Sequence, residues 1–239
     1  MDFTKMFNDD FGSQDWKDKW GVDWLSNFEN SEIIDNNLRI SYIKDHFGVR
    51  QTGISFPIIF KRTYNELHFR YYLNFENGFD FKLGGKLPGL MGYDSYKCSG
   101  FGNQPNGSNG WTMRFMWREK GKIVVYAYLP KSHNGKYGGQ KWGQDISCDT
   151  IVEYDKWYCL DQYINIGTPN KDDGELKVWI NDELKIDMND ICYGYENNEY
   201  FKIGGIYFST FHGGHDKEWA PRNDSYIQYK NLLTSKTKL

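Results

Sequence analysis

The sequence is poor in several features that announce a function. Cysteine is scarce: Cys98, Cys148, Cys159 and Cys192 are scattered through 239 residues, with no C-x-x-C pair. That spacing excludes the common zinc modules, and a domain this long does not need the two disulfides that an even count permits. No run approaches the roughly 18 apolar residues of a membrane span, so no membrane partner is expected. The opening MDFTKMFNDDFGSQDW has no basic segment followed by an apolar one and does not read as a signal peptide. Neither sign of charge is in excess: the net charge is −3 and the pI about 6.0. Nucleic-acid binders usually show a basic stripe, so no nucleic-acid partner is expected. A polyanion could bind only where cations collect in one groove.

Internal repeats, low-complexity linkers and long helical periodicity are also missing. What remains is strand-like. Residues 37–43, 53–62, 66–75, 79–87, 110–118, 122–130, 157–166, 174–182, 200–211 and 225–233 are β-branched or aromatic runs broken by Gly and Asn. About ten strands with turn signals between them predict an all-β jelly-roll sandwich of two antiparallel sheets. Residues 1–36, polar with aromatic islands, read as an arm or short helix packed on a single domain of residues 37–239. Aromatic residues make up 18% of a chain whose mean hydropathy is −0.75. Rings with polar tips are also what sugar-binding grooves are made of.

Two stretches stand out. GGKLPGL, residues 84–90, surrounds Lys86 with three glycines and a proline. Glycine is selected where a backbone turns sharply or lies close to something else, so one cation is held on a tightly specified piece of chain. WTMRFMWREKGKIVVYAYL, residues 111–129, reads as a hairpin around Glu119, Lys120 and Gly121, a three-residue loop with glycine last. That loop sets Arg118 opposite Lys122, Met116 opposite Val124, Arg114 opposite Tyr126 and Thr112 opposite Tyr128. One face then carries Thr112, Arg114, Arg118, Lys122, Tyr126 and Tyr128, and the other a packing surface from Trp111 to Leu129. A two-residue loop would pair Arg114 with Ala127 and turn the tyrosines away.

These stretches resemble polysaccharide lyase family 14, the family of alginate and glucuronan lyases. GGKLPGL is similar to its lysine strand, WTMRFMWR to its Ser-x-Arg strand and VVYAYL to its Tyr-x-Tyr strand; FSTFHGGHDKEWAP, residues 208–221, also resembles a family stretch. The segment from 156 to 182 is similar to its back strands, so the likeness runs from about 37 to 233. The resemblance implies a polyuronate groove on the concave face of the jelly roll. It implies that Lys86, Arg114, Tyr126 and Tyr128 are catalytic, with Thr112 at the family's serine position. Threonine keeps the hydroxyl but stiffens χ1.

A lyase of this kind removes the proton at C5 of a uronate, neutralises its carboxylate and protonates the leaving oxygen. Arg114 suits the carboxylate, because guanidinium binds it bidentately and stays charged. The favoured assignment gives proton transfer to a tyrosine, with Lys86 assisting Arg114. In the alternative, Lys86 is the base, its pKa lowered by burial and cationic neighbours. Arg70 and Tyr72, on one face of their strand, extend the groove in this reading, Lys136 belongs to a cationic lid in the Gly-rich stretch 131–145, and His212 contacts sugar. A metal held by His212, His215 and Asp216 lacks a further nearby ligand, so no metal and no cofactor is expected.

The expected partner is an acidic polysaccharide, met by a monomer. An enzyme of cell-wall polymers would be secreted or delivered in a virion. A non-catalytic, lectin-like jelly roll is the alternative. A retaining hydrolase would place paired carboxylates on one strand, as in E-x-D-x-x-E, and no such spacing is present.

Overall fold

The structure, a computed structural model, describes residues 7–9, 16–20, 22, 25–98 and 103–238. Among these residues are fourteen strands: β1 Phe7–Asp9, β2 Ser31–Ile34, β3 Asn37–Tyr42, β4 Ile54–Tyr64, β5 Glu66–Phe75, β6 Gly84–Gly92, β7 Thr112–Arg118, β8 Lys122–Tyr128, β9 Gln144–Ile151, β10 Trp157–Asn165, β11 Gly174–Ile180, β12 Glu183–Ile191, β13 Ile203–His212 and β14 Ser225–Ser235. One sheet has the order β12-β11-β10-β5-β14-β3-β2, with β1 added along β14; the other has the order β4-β13-β6-β7-β8-β9. Neighbouring strands pair antiparallel throughout these two sheets. The two sheets face each other across one core, as expected of a jelly-roll sandwich.

Alternation in the sequence generates that core. In β5, Leu67, Phe69, Tyr71, Leu73 and Phe75 are fully buried, and Tyr71 meets Phe115 of the facing sheet and Tyr229 of the neighbouring β14. In the β7–β8 hairpin Trp111, Met113, Phe115, Trp117, Ile123, Val125, Ala127 and Leu129 all point inward. The expected register holds: Met116 pairs with Val124, Arg114 with Tyr126 and Thr112 with Tyr128. Gly121 takes the left-handed conformation at φ 76°, and Lys120 does so too, at φ 59°. The four cysteines are buried and unpaired.

Four strands escape the sequence pattern: β1 and β2 near the N-terminus, and β9 and β12. Both β9 and β12 are sheet edges, and each buries little: Cys148 in the middle of β9, and Ile186 and Ile191 in β12. Edge strands are commonly charged, which blunts pairing with other chains. The N-terminal region includes a short helix packed on the core. Trp16 and Trp20, on and just after the short helix Trp16–Lys19, are buried against Phe56 and Phe208. Residues 31–34 form β2, so the sheet begins before residue 37.

The strand expected at 79–87 lies at 84–92 instead. Phe79 and Phe81 plug the core from a turn in which Lys82 is left-handed at φ 45°. Within β6, both neighbouring ladders slip at the same place. Lys86 pairs with Met116 and Gly89 with Arg114, three residues against two. On the other side Lys86 pairs with Phe211 and Gly89 with Tyr207. Toward β7 this is a bulge at Leu87–Pro88, where a proline is tolerated; toward β13 the extra residue lies on β13.

The glycines permit close approach on both sides of that bulge. A Cβ on Gly89 would lie 2.1 Å from the Met113 carbonyl oxygen, and one on Gly85 would lie 2.0 Å from the Trp117 ring. Gly89→Ala is therefore expected to lower the unfolding free energy by about 1–3 kcal/mol, the cost of overpacking. The urea midpoint at constant m-value reads this out, and an unchanged midpoint would refute the close approach.

Candidate active site

The outer face of the six-stranded sheet carries a groove of about 710 Å³. Strands β6, β7 and β8 lie side by side beneath it and supply Lys86, then Arg114, Met116 and Arg118, then Tyr126 and Tyr128. The bulge in β6 sets Lys86 on this face. Its Nζ is 4.0 Å from the centre of the Tyr126 ring and 3.3 Å from Met116 Sδ. Tyr126 and Tyr128 meet edge to face at 5.3 Å. Arg114 is 1% exposed. It donates from Nη1 to Ser209 Oγ at 3.1 Å, with its guanidinium 4.8 Å from the Tyr207 ring and 5.9 Å from the Tyr128 ring. Ser55 donates to the Tyr207 hydroxyl at 3.2 Å. These three strands thus bring together one lysine amine, two guanidinium groups and two phenols.

Protonation follows from this crowding. Burial pushes the Lys86 pKa well below the usual lysine value, and the positive charges of Arg114 and Arg118 push the same way, partly offset by Asp145. The charged form of an amine is disfavoured in such a setting. Burial moves Tyr126 the other way, raising its pKa, with Tyr128 adding to the effect; Arg118 and Arg114 only partly oppose it. An amine ready to be neutral therefore sits over a phenol that keeps its proton.

Several residues expected in the groove lie elsewhere. Thr112 is on the correct face, opposite Tyr128, but it is fully buried and its hydroxyl has no hydrogen bond among the described residues. Arg70 and Tyr72 belong to the other sheet. Because Phe69 and Tyr71 point into the core, Arg70 and Tyr72 point to the far side of the molecule. There Arg70 pairs with Asp161 at 2.9 Å and Asp182 at 3.3 Å. Lys136 is exposed, outside the described groove lining, and pairs with Asp190.

His212 is a core residue. It ends β13 pointing inward, stacked on Phe79 at 5.6 Å and edge-on to Trp117 and Tyr42. Neither ring nitrogen has a hydrogen bond of ordinary geometry among the described residues, although the Trp219 backbone lies nearby. Its neighbour His215 lines the groove instead, 83% exposed at the side chain.

Burial lowers the His212 pKa to about 3. A histidine depressed in the folded state contributes its full stability above its unfolded pKa and loses it as pH falls toward the folded value. Between pH 6.5 and 5 the unfolded chain takes up a proton that the folded chain refuses. Unfolding free energy should therefore fall by about 2 kcal/mol more in the parent than in His212→Leu across that interval. Equal acid sensitivity in urea titrations of the two would refute a neutral, buried His212.

Sequence reasoning missed Tyr207, Trp219, Arg50, Lys97 and Trp142, all of which line the groove. They come from β13 and from connecting segments, and nothing local in the sequence says which segments fold over the sheet. Only one group of three potential metal ligands occurs among the described residues: His133, Asp172 and Cys192. The Asp172 carboxylate there accepts hydrogen bonds from the backbone of His133 and Asn134, which accounts for the cluster as a loop anchor.

Comparison with known proteins agrees with this geometry. No curated protein sequence matches the chain. Among solved structures, the alginate lyase Aly36B superposes with a TM-score of 0.81 at 22% identity, over 98% of this chain and 97% of that one. A marine PL-14 alginate lyase from Aplysia kurodai gives 0.75 at 25% identity, over 90% of each chain. The alginate lyase vAL-1 from Chlorella virus gives 0.79 at 20% identity, over 98% of this chain and 100% of the other. The model of the family Polysaccharide lyase 14 matches residues 30–232. With the groove of lysine, arginine and paired tyrosines on the outer face of its six-stranded sheet, the chain belongs to the polysaccharide lyase 14 family.

Proposed function

We propose that the protein cleaves a uronate-bearing polysaccharide by β-elimination at this groove, leaving an unsaturated uronate end. One observation carries the reading. The described residues lining the groove include Arg50, Lys86, Lys97, Arg114 and Arg118 and no carboxylate, on a chain whose net charge is −3. Cations gathered against the sign of the whole molecule favour a polyanion. Support also comes from variants of Aly36B crystallised with alginate trisaccharide and tetrasaccharide.

In this reading Arg114 grips the uronate carboxylate and neutralises charge as C5 loses its proton. Lys86, neutral before reaction, takes that proton on Nζ. The C5–H electron pair becomes the C4–C5 double bond, the C4–O bond breaks, and Tyr128 protonates the departing oxygen. Return of the proton from Lys86 to Tyr128 restores the starting state. Tyr126, which keeps its proton, supports the Lys86 amine with its ring.

The test is incubation with alginate and with glucuronan. Growth of the ultraviolet absorbance of the conjugated product is expected. New reducing ends without absorbance would make the protein a hydrolase. Binding without either would make it a lectin.

A further inference from the structure

The groove does not end at the catalytic residues. Arg118 lines it and also lines an adjoining cavity of about 410 Å³ toward the β7–β8 hairpin, with Leu83, Glu119, Lys122, Val124 and Asp145. Arg118 is also close to the chemistry. Its guanidinium is 5.4 Å from the Tyr126 ring, the same ring that lies 4.0 Å from Lys86 Nζ. Its other partner is Asp145, which β9 places directly opposite Tyr126. Nε donates to one carboxylate oxygen at 2.8 Å and Nη2 to the other at 2.6 Å. That is the two-bond fork by which a guanidinium recognises a carboxylate, and a uronate offers the same acceptor.

We propose that Asp145 stands in for a substrate carboxylate on Arg118, and that a second uronate binds at the hairpin end of the groove by taking its place. This inference rests on the polyuronate reading of the groove. The pair is open to water, with side chains 23% exposed at Arg118 and 40% at Asp145. A substrate carboxylate can make the same two bonds to Arg118, and the released Asp145 carboxylate, already open to water, rehydrates readily. Asp145 also stands at the start of an edge strand, where its side chain can swing away without disturbing an inner ladder. With Asp145 in place the adjoining cavity is balanced, Arg118 and Lys122 against Glu119 and Asp145. With Asp145 displaced the cations are in excess, which suits a neighbouring acidic sugar. Asp145 thereby limits how tightly a long chain is held, which favours release of products.

The experiment is a double-mutant cycle on Arg118 and Asp145. Binding of alginate and glucuronan hexasaccharides is measured by calorimetry in a Lys86→Ala chain, and product absorbance is measured separately with the parent. Asp145→Ala and Asp145→Asn are each expected to tighten binding about two- to fivefold, the range that an exposed ion pair spans. In an Arg118→Ala background the gain should vanish. Unchanged or weaker binding in both Asp145 variants overturns the proposal, as does a gain that persists without Arg118. Arg118-dependent tightening without any unsaturated product from the parent upholds the exchange and removes the lyase reading. Turnover by the parent without the tightening removes the exchange alone. Failure of every chain to bind either hexasaccharide removes both.

Discussion

Lys86→Arg is expected to lower kcat by about three orders of magnitude, as severely as Lys86→Ala, which is the scale of a lost general base. The comparison separates two roles. If Lys86 only helped to neutralise the substrate carboxylate, arginine would keep the charge and much of the rate. If Lys86 must accept a proton, arginine fails, because a guanidinium does not deprotonate in a protein. Burial and the charges of Arg114 and Arg118 already hold Lys86 well below the ordinary lysine range. The sign for pH follows. Protonated Lys86 is inactive, so kcat/KM rises with pH through the folded pKa and levels off once the amine is neutral. That rise should lie well below pH 10. Substantial activity in Lys86→Arg, or a rate that rises only near the ordinary lysine pKa, would remove Lys86 as a depressed general base.

Tyr128→Phe should cost about two to three orders of magnitude in kcat, with KM little changed, because one phenolic oxygen is removed from proton transfer while the ring remains. The ring packs edge to face on Tyr126 and lies near Arg114, so its packing survives the substitution. Thermal unfolding of the variant should match the parent. A phenylalanine variant that turns over at a near-normal rate would take Tyr128 out of the mechanism. Tyr126→Phe provides the contrast. Its ring supports Lys86, and its phenol is not asked to ionise, so its loss should be smaller than that of Tyr128→Phe.

The hairpin from Trp111 to Leu129 shows what was legible in advance. Glycine at the end of a three-residue loop set the register, and period-two alternation divided the hairpin into a core face and a groove face. Glycine spacing around Lys86 likewise foretold a tightly approached strand, which the contacts of Gly85 and Gly89 explain. The polar edges β9 and β12 carried no such signal, because a strand that buries one or two side chains reads like a loop. His212 and Arg70 show the limit more sharply. Alternation says that residues of a strand share a face, but not whether that face looks into the core, into the groove or to the far side. His212 shares a five-residue run with groove-lining His215 and is buried among aromatic rings. Arg70 has the right chemistry on the wrong sheet.

The residues alone determined an all-β chain, the pairing of Arg114 with Tyr126 and of Thr112 with Tyr128, and that Lys86 lies on a tightly approached strand. These depend on turn chemistry and on the two-residue period of a strand, both local properties. Tertiary structure alone decided that β6 lies next to β7, that Lys86 loses its solvent and rests over Tyr126, and that Arg118 holds Asp145. Those are non-local: strand order, burial and proton affinity arise only when segments distant in sequence share one low-dielectric space.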